Sequence, residues 1–218
     1  MIKYNTFIFD LDGTLLDTLA DLAASVNYAL RAHQMPEHSI DDVRRFVGNG
    51  VKKLMERAVP EGIGNPLFDI TFKTFKEHYL EHSLDTTHPY EGIPELLQEL
   101  KCRGCRMAVV SNKMMKATQQ LCHHFFPEID VAIGENETMG IRRKPAPDTV
   151  NNALRLLNAE KEHAVYVGDS DVDIETAKNS ELSCISVLWG FRDMEFLTHH
   201  GATHFVSKPM ELLDYAGL

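Results

Sequence analysis

Six short apolar runs recur along the chain, most of them stopping abruptly at polar residues: TFIFD (6–10), RMAVVSN (106–112), VAIGE (131–135), AVYVGD (164–169), CISVLW (184–189) and HFVS (204–207). Most are nearly continuous rather than alternating, as strands are when a parallel sheet buries both of their faces. Segments such as IPELLQELKCRG (93–104) and APDTVNNALRLLN (146–158) lie between them with apolar residues at helical spacing. Strands and helices in alternation predict an α/β protein with a doubly wound, Rossmann-like parallel-sheet core.

The pattern changes between residues 17 and 85, where DLAASVNYALRAH, DDVRRFV, GVKKLMERAV and LFDITFKTFKEHYLEHS read as helices with no strand among them. Pro36, Gly48, Gly50, Pro60, Gly62, Gly64 and Pro66 punctuate them. The expectation is a small all-helical domain, residues 17–87, inserted directly after the first strand of a core formed by residues 1–16 and 88–218.

Composition narrows the function classes. Of 218 residues, 44% are hydrophobic and 25% charged, which suits a folded globular chain. The formal net charge of −10 argues against nucleic acid as a partner, since a phosphate backbone requires a basic surface. No run approaches the ~18 apolar residues of a membrane span, and the first apolar run is cut by Asp10 before it could serve as a secretory signal. A cytoplasmic protein, monomeric or homodimeric, is expected. Cys102 and Cys105 form a CxxC, but without a thioredoxin-like context they read as ordinary thiols near a helix end.

The chemistry lies where the apolar runs stop. Residues i and i+2 of a strand face the same side, so Asp10 and Asp12 project together where the first strand frays. Two such carboxylates repel unless something positive lies between them, and a hard cation such as Mg²⁺ is the simplest remedy. Gly13 permits a tight turn, and Thr14 brings a hydroxyl to the same mouth. Asp169, Asp171 and Asp173 end another buried run; Ser111, Asn112 and Lys113 end a third; Lys144 precedes a proline. Ligands of open α/β sheets bind outside the carboxyl ends of the strands, and acids, a hydroxyl, an amide and a lysine gathered there suit a phosphate. A calcium loop is the competing reading of Asp169-x-Asp171-x-Asp173, but Ile174 and Ser180 stand where an EF-hand needs Gly and Glu. Acids at strand ends also serve as turn formers and caps; four such motifs in this order are poorly explained that way.

The order DLDGT, VVSN, KP and GDSDVD, with a helical insertion after the first motif, resembles the haloacid dehalogenase superfamily of phosphohydrolases over nearly the whole chain. Within it the sequence is most similar to the phosphoglycolate phosphatases, through DLDGTLLDT, FVGNG, PYEGIPELL and GDSDVDIETA. The resemblance implies Asp10 as nucleophile and Asp12 as the acid that protonates the leaving alcohol and then the base that activates water. It implies that Ser111 and Lys144 hold the phosphoryl oxygens, with Gly13, Thr14 and Asn112 at the same phosphate-binding mouth. Mg²⁺ would be bound by Asp10, the Asp12 carbonyl and Asp169, with Ser170 and Asp173 supporting. Dehalogenases of the superfamily do without the second acid, and its sugar-phosphate mutases usually carry an acidic pair before Ser with no following Asp. A Mg²⁺-dependent phosphatase for a small phosphorylated metabolite, first 2-phosphoglycolate, is therefore expected. Another small-metabolite phosphatase, a pyrophosphatase, a sugar-phosphate mutase or a non-catalytic phosphometabolite sensor are the alternatives.

Specificity is expected in the insertion. Gly48, Asn49 and Gly50 can turn their N–H groups toward an anion, and Arg45 and Lys53 flank them as cations for a second negative group on the substrate. The same residues also fit a plain helix–helix turn with a solvated basic face. His78 and His82 sit one helical turn apart but read as a helix surface, and Met114 and Met115 as packing at a helix start; Trp189, Phe191 and Arg192 follow a strand and so are candidates to border the site, with packing the safer reading.

Overall fold

The computed structural model describes residues 3–135 and 140–217. The chain forms two compact units, residues 1–16 with 89–218, and residues 17–88. The first unit begins with β1 (Thr6–Phe9) and is left through β2 (Leu16–Asp17). The insertion holds α1 (Leu19–Ala32), α2 (Ile40–Phe46), α3 (Val51–Ala58) and α4 (Phe68–His82), and the chain returns through β3 (His88–Pro89), which pairs with β2. Then follow α5 (Ile93–Cys102), β4 (Arg106–Met114), α6 (Met115–Phe125), β5 (Val131–Glu135), α7 (Asp148–Leu157) and β6 (Ala164–Gly168). Next come α8 (Asp171–Asn179), β7 (Ser183–Val187), α9 (Met194–His199) and β8 (Phe205–Val206), followed by a 3-10 helix (Pro209–Tyr215).

The main sheet has the order β5-β4-β1-β6-β7-β8, and every neighbouring pair is parallel. All six apolar runs of the sequence are therefore its six strands. β1 lies at the centre with Phe7, Ile8 and Phe9 fully buried, flanked by equally buried Met107–Val110 of β4 and Val165–Val167 of β6. Burying a large apolar side chain contributes about 1.5–3 kcal/mol, so the centre of the sheet is also its most strongly held part. Because β4 and β5 extend to one side of β1 while β6, β7 and β8 extend to the other, the crevice of the topology opens at the carboxyl end of β1.

Two features differ from the sequence reading. β2 and β3 were not expected, since two residues carry no periodicity. β4 runs to Met114, past the anticipated end at 112, through a register shift against β5 between Val110 and Met114.

The inserted unit is held by apolar faces and one buried carboxylate. Leu22, Val26 and Leu30 of α1 and Phe75 and Tyr79 of α4 are buried, the last two with ring centroids 5.7 Å apart. Asp21, in the first turn of α1, accepts from the backbone N–H and hydroxyl of Thr86 (3.0 and 2.5 Å) and from Thr87 N–H (2.9 Å), joining the beginning of the insertion to its end. Burial alone would raise the Asp21 carboxyl, but the Thr86 and Thr87 hydrogen bonds outweigh it and hold it below the ordinary carboxylate range.

Asp21→Asn is expected to cost about 2 kcal/mol at neutral pH, the scale of hydrogen bonds to a charged group. A depressed folded-state pKa contributes stability that is complete above the unfolded value and is lost as pH falls. The gap between wild type and variant in urea melts should therefore close between about pH 5 and pH 2. A gap that persists at the acid end would show that the charge is not what holds the clamp.

Candidate active site

Asp10 follows β1 directly, and its own geometry is set by the turn after it. Leu15 and Leu16 N–H both return to the Leu11 carbonyl at 3.0 Å, and Gly13 N–H reaches Leu16 O at 2.9 Å. Gly13 has φ +84°, and a Cβ placed on it would stand 2.4 Å from Asp169 Oδ2. The turn therefore requires glycine twice over, for backbone conformation and for closeness to the neighbouring acid.

Lys144 joins the acids. Its Nζ lies 2.9 Å from Asp10 Oδ1, 2.8 Å from Asp173 Oδ1 and 3.0 Å from the Tyr166 hydroxyl, with its side chain 2% exposed. Asp173 is engaged on both oxygens: Oδ2 accepts from Ser170 Oγ (2.6 Å), Ser170 N–H (3.1 Å) and Asp169 N–H (3.2 Å), and Oδ1 accepts from Lys144 and from Tyr166 OH at 3.1 Å. The bonds between Ser170 and Asp173 are also the capping box of α8, so the helix start and the acid cluster are one construction. Asp169 accepts from Thr14 Oγ1 at 3.2 Å and from Phe191 N–H at 2.8 Å.

Burial raises the Asp10 carboxyl well above its ordinary range, the charge of Asp173 adds to this, and Lys144 opposes it. Burial and the charge of Asp173 likewise push Asp169 up to about 7. Burial would lower Lys144, but Asp10 and Asp173 outweigh it and raise the ammonium. Lys144 bonds two of the three buried carboxyls, Asp10 and Asp173, and an oxygen from each of Asp10, Asp169 and Asp173 lies within 4.8 Å of the others. Hard oxygen donors with unbalanced negative charge in a buried cluster fit a divalent cation such as Mg²⁺.

Several of the side chains expected at the mouth are also bonded to their neighbours. The Thr14 hydroxyl is fully buried and donates to Asp169, bracing that acid. Asn112 is tied at both ends of its amide to the backbone of Lys144, accepting from its N–H at 2.8 Å and donating to its carbonyl at 3.0 Å. It straps the lysine loop to β4. Ser111 is buried at the end of the apolar part of β4, where its Oγ accepts from Lys113 N–H at 3.2 Å. Asp171 begins α8, outside the cluster.

The profile of the haloacid dehalogenase-like hydrolases matches residues 7–187. The chain belongs to that family. The phosphoglycolate phosphatase of Aquifex aeolicus is 34% identical over 186 residues, 84% of each chain. The N-acetylmuramic acid 6-phosphate phosphatase of Pseudomonas aeruginosa is 28% identical over 216 residues, 98% of this chain and 95% of that one. A crystal structure from Lactobacillus delbrueckii subsp. bulgaricus, provisionally assigned as a phosphoglycolate phosphatase, is 37% identical, with a TM-score of 0.93 and full coverage of both chains. The enzyme is a phosphoric monoester hydrolase of the phosphoglycolate phosphatase-like kind.

Within this hydrolase, the WGF segment after β7 is more than packing. Phe191 supplies the backbone donor to Asp169, and Trp189 Nε1 donates to the Thr14 carbonyl at 2.9 Å. A Cβ on Gly190 between them would stand 2.4 Å from both Asp169 Cβ and Gly13 O. Tyr166 and Lys113, which gives Asp12 Oδ1 a hydrogen bond of 2.7 Å, also belong to the site. In the insertion, Arg45 pairs with Asp42, and Lys53 with Glu56 at 2.7 Å, both exposed contacts within one helix. The Gly48-Asn49-Gly50 turn is instead held by Arg57, which donates to Phe46 O (2.6 Å) and Asn49 Oδ1 (2.7 Å). His78 stacks on Tyr28 and His82 with ring centroids 4.0 and 4.2 Å away, and its ring bonds to Ser25 Oγ at 3.0 Å. Cys102 is exposed and Cys105 buried, both free thiols.

Gly190→Ala is expected to lose about 1–3 kcal/mol of stability through overpacking, and to lower kcat more than tenfold because Asp169 and the Asp10 turn must move apart. Gly64→Ala, where a Cβ meets nothing within 4 Å, is the neutral control. Equal melting temperatures and rates for the two variants would remove the close-approach argument.

Proposed function

We propose that the enzyme hydrolyses 2-phosphoglycolate, or a closely similar carboxylated phosphate monoester, through a phosphorylated Asp10. The observation that carries the mechanism is the buried Lys144, bonded at once to Asp10 and Asp173 at the carboxyl edge of the sheet. The relatives named as phosphoglycolate phosphatases support the substrate.

In the first step an Asp10 carboxylate oxygen bonds to phosphorus as the bond from phosphorus to the leaving oxygen breaks, and Asp12 gives its proton to that oxygen. In the second step Asp12 takes a proton from water as the water oxygen bonds to phosphorus and the Asp10–phosphorus link breaks. Ester and water become alcohol and phosphate, and both aspartates return to their starting states. Dividing one displacement into two is the role of covalent catalysis. Lys144 and Ser111 hold the phosphoryl oxygens, Asn112 and Tyr166 keep Lys144 in place, and Thr14 and the Phe191 N–H orient Asp169. Mg²⁺, when bound by Asp10, Asp169 and the Asp12 carbonyl with Asp173 and Ser170 in support, supplies neutralising charge for the phosphoryl group. Residues 17–88 act as the specificity unit, with the Gly48–Gly50 turn, Arg45 and Lys53 meeting the substrate's second anionic group; their exposed ion pairs are weak enough to exchange for it. The protein works in the cytoplasm as a monomer or homodimer, without nucleic acid; among the described residues no helix is long and apolar enough to cross a membrane.

Phosphate release from 2-phosphoglycolate, hexose phosphates, N-acetylmuramic acid 6-phosphate, nucleotides and pyrophosphate should show one carboxylated monoester ahead by at least tenfold in kcat/KM. EDTA and Asp10→Asn should each abolish that activity. Arg45→Ala or Lys53→Ala should raise KM by about three- to tenfold with kcat little changed, as loss of uniform binding does. Release that survives Asp10→Asn would refute the covalent mechanism, and preference for an uncharged sugar phosphate would refute the substrate.

A further inference from the structure

Lys113 has no part in the mechanism above, yet its side chain is 1% exposed, as buried as that of Lys144. Removing an ammonium from water is unfavourable unless close partners compensate. Its place is built by several residues. Along β4, the step from Val110 to Met114 is matched on β5 only by the step from Ile133 to Glu135, so two extra residues bulge at the carboxyl end of β4. Within the bulge Ser111 Oγ accepts from Lys113 N–H at 3.2 Å, and Thr118 Oγ1 donates to Lys113 O at 3.4 Å. Across from it, a Cβ on Gly134 would stand 2.7 Å from Lys113 O and 2.5 Å from Met115 Cα, so β5 requires glycine for the bulge to close. The result of this construction is a bond of 2.7 Å from Lys113 Nζ to Oδ1 of Asp12, a side chain that arrives from 101 residues away in sequence.

We infer that Lys113 is a positioning residue for Asp12, an inference that rests on the phosphatase reading. With Oδ1 held, the rotation of the Asp12 carboxyl is fixed, and so is the direction in which it delivers a proton to the leaving oxygen and later receives one from water. As the proton departs, negative charge grows on a carboxyl whose neighbour is a fixed ammonium, which lowers the barrier without rearrangement. A general acid contributes about 10²–10⁴-fold, and misplacing such a group by about 1 Å costs roughly 10²-fold.

The test uses leaving groups. The full-length enzyme with Mg²⁺, Lys113→Met, Lys113→Arg, Asp12→Asn and the Lys113→Met/Asp12→Asn pair are assayed on the alkyl phosphate the wild type handles best and on p-nitrophenyl phosphate. Nitrophenolate leaves without needing a proton. Lys113→Met should lower kcat/KM for the alkyl ester by about 30–100-fold and for the aryl ester by less than about threefold. With the aryl ester it should release a burst of about one equivalent of nitrophenolate before slow turnover, because the second step still requires Asp12. Lys113→Arg should recover part of the loss, and adding Lys113→Met to Asp12→Asn should cost less than about threefold more, as for residues acting as a unit.

Equal losses on both esters, or additive losses with Asp12→Asn, would overturn the inference in favour of a purely structural lysine. A rise in KM confined to carboxylated esters would overturn it in favour of a substrate anchor. If Lys113→Met does not fold, the cycle between Lys113→Arg and Asp12→Asn gives the same decision. A wild type inert on both esters overturns the phosphatase reading itself, whereas an active wild type with equal losses overturns only the role of Lys113.

Discussion

The ammonium of Lys144, between Asp10 and Asp173, is the interaction on which the rest of the site depends. Without it, Asp10 and Asp173 would lose the cation that both oxygens meet, and burial would favour their neutral forms. With it, Asp10 is tied to the carboxyl end of β1 and Asp173 to the start of α8, so a strand and a helix on different stretches of chain share one charge. A buried pair of this kind contributes little to net stability against an apolar alternative. Its value is in fixing geometry, and the surrounding donors serve that end: Tyr166 reaches Lys144 and Asp173, Ser170 caps Asp173, and Asn112 holds the Lys144 backbone.

Close approach is the second constraint. At Gly13, Gly168 and Gly190 an added Cβ would come within 2.4 Å of Asp169 or Asp173 atoms. These glycines let three backbone segments lie directly against two acids, which positions backbone N–H groups such as that of Phe191 as donors. The donors are part of the scaffold and need no reorganisation when charge moves in the site.

The sheet was legible because strands covered on both faces leave long apolar runs, and the runs of β1, β4 and β6 end in the polar residues of the site. Asp10, Asp12, Ser111, Asp169 and Asp173 could be placed on one edge from that pattern, and the family's motifs agreed. What was not legible has physical causes. A bulge adds residues without altering residue type, so the place of Lys113 was hidden by an apparently simple strand end. Phe191 acts through its backbone N–H, which any residue other than proline possesses, so WGF read as packing. Thr14 and Asn112 were found as polar groups at the mouth, but sequence does not give the direction of a hydroxyl or an amide. Arg57 lies eight positions from Asn49, on the next helix, where nothing local marks it as the residue holding the turn.

The pairing of β2 with β3 has an evolutionary consequence. Paired strands lie ~4.8 Å apart, so the points at which the chain leaves and rejoins the core are neighbours, joined as the two sides of a stem. Everything between Asp17 and His88 hangs from that stem as a loop in the topological sense, and Asp21 fastens the loop to itself near its base. Such an arrangement tolerates replacement of the hanging segment, because the core sees the same two adjacent ends whatever lies between them. The sheet edge and the inserted segment are thus separable along the chain, and a change of length or sequence in the segment leaves the two ends that the core sees in place.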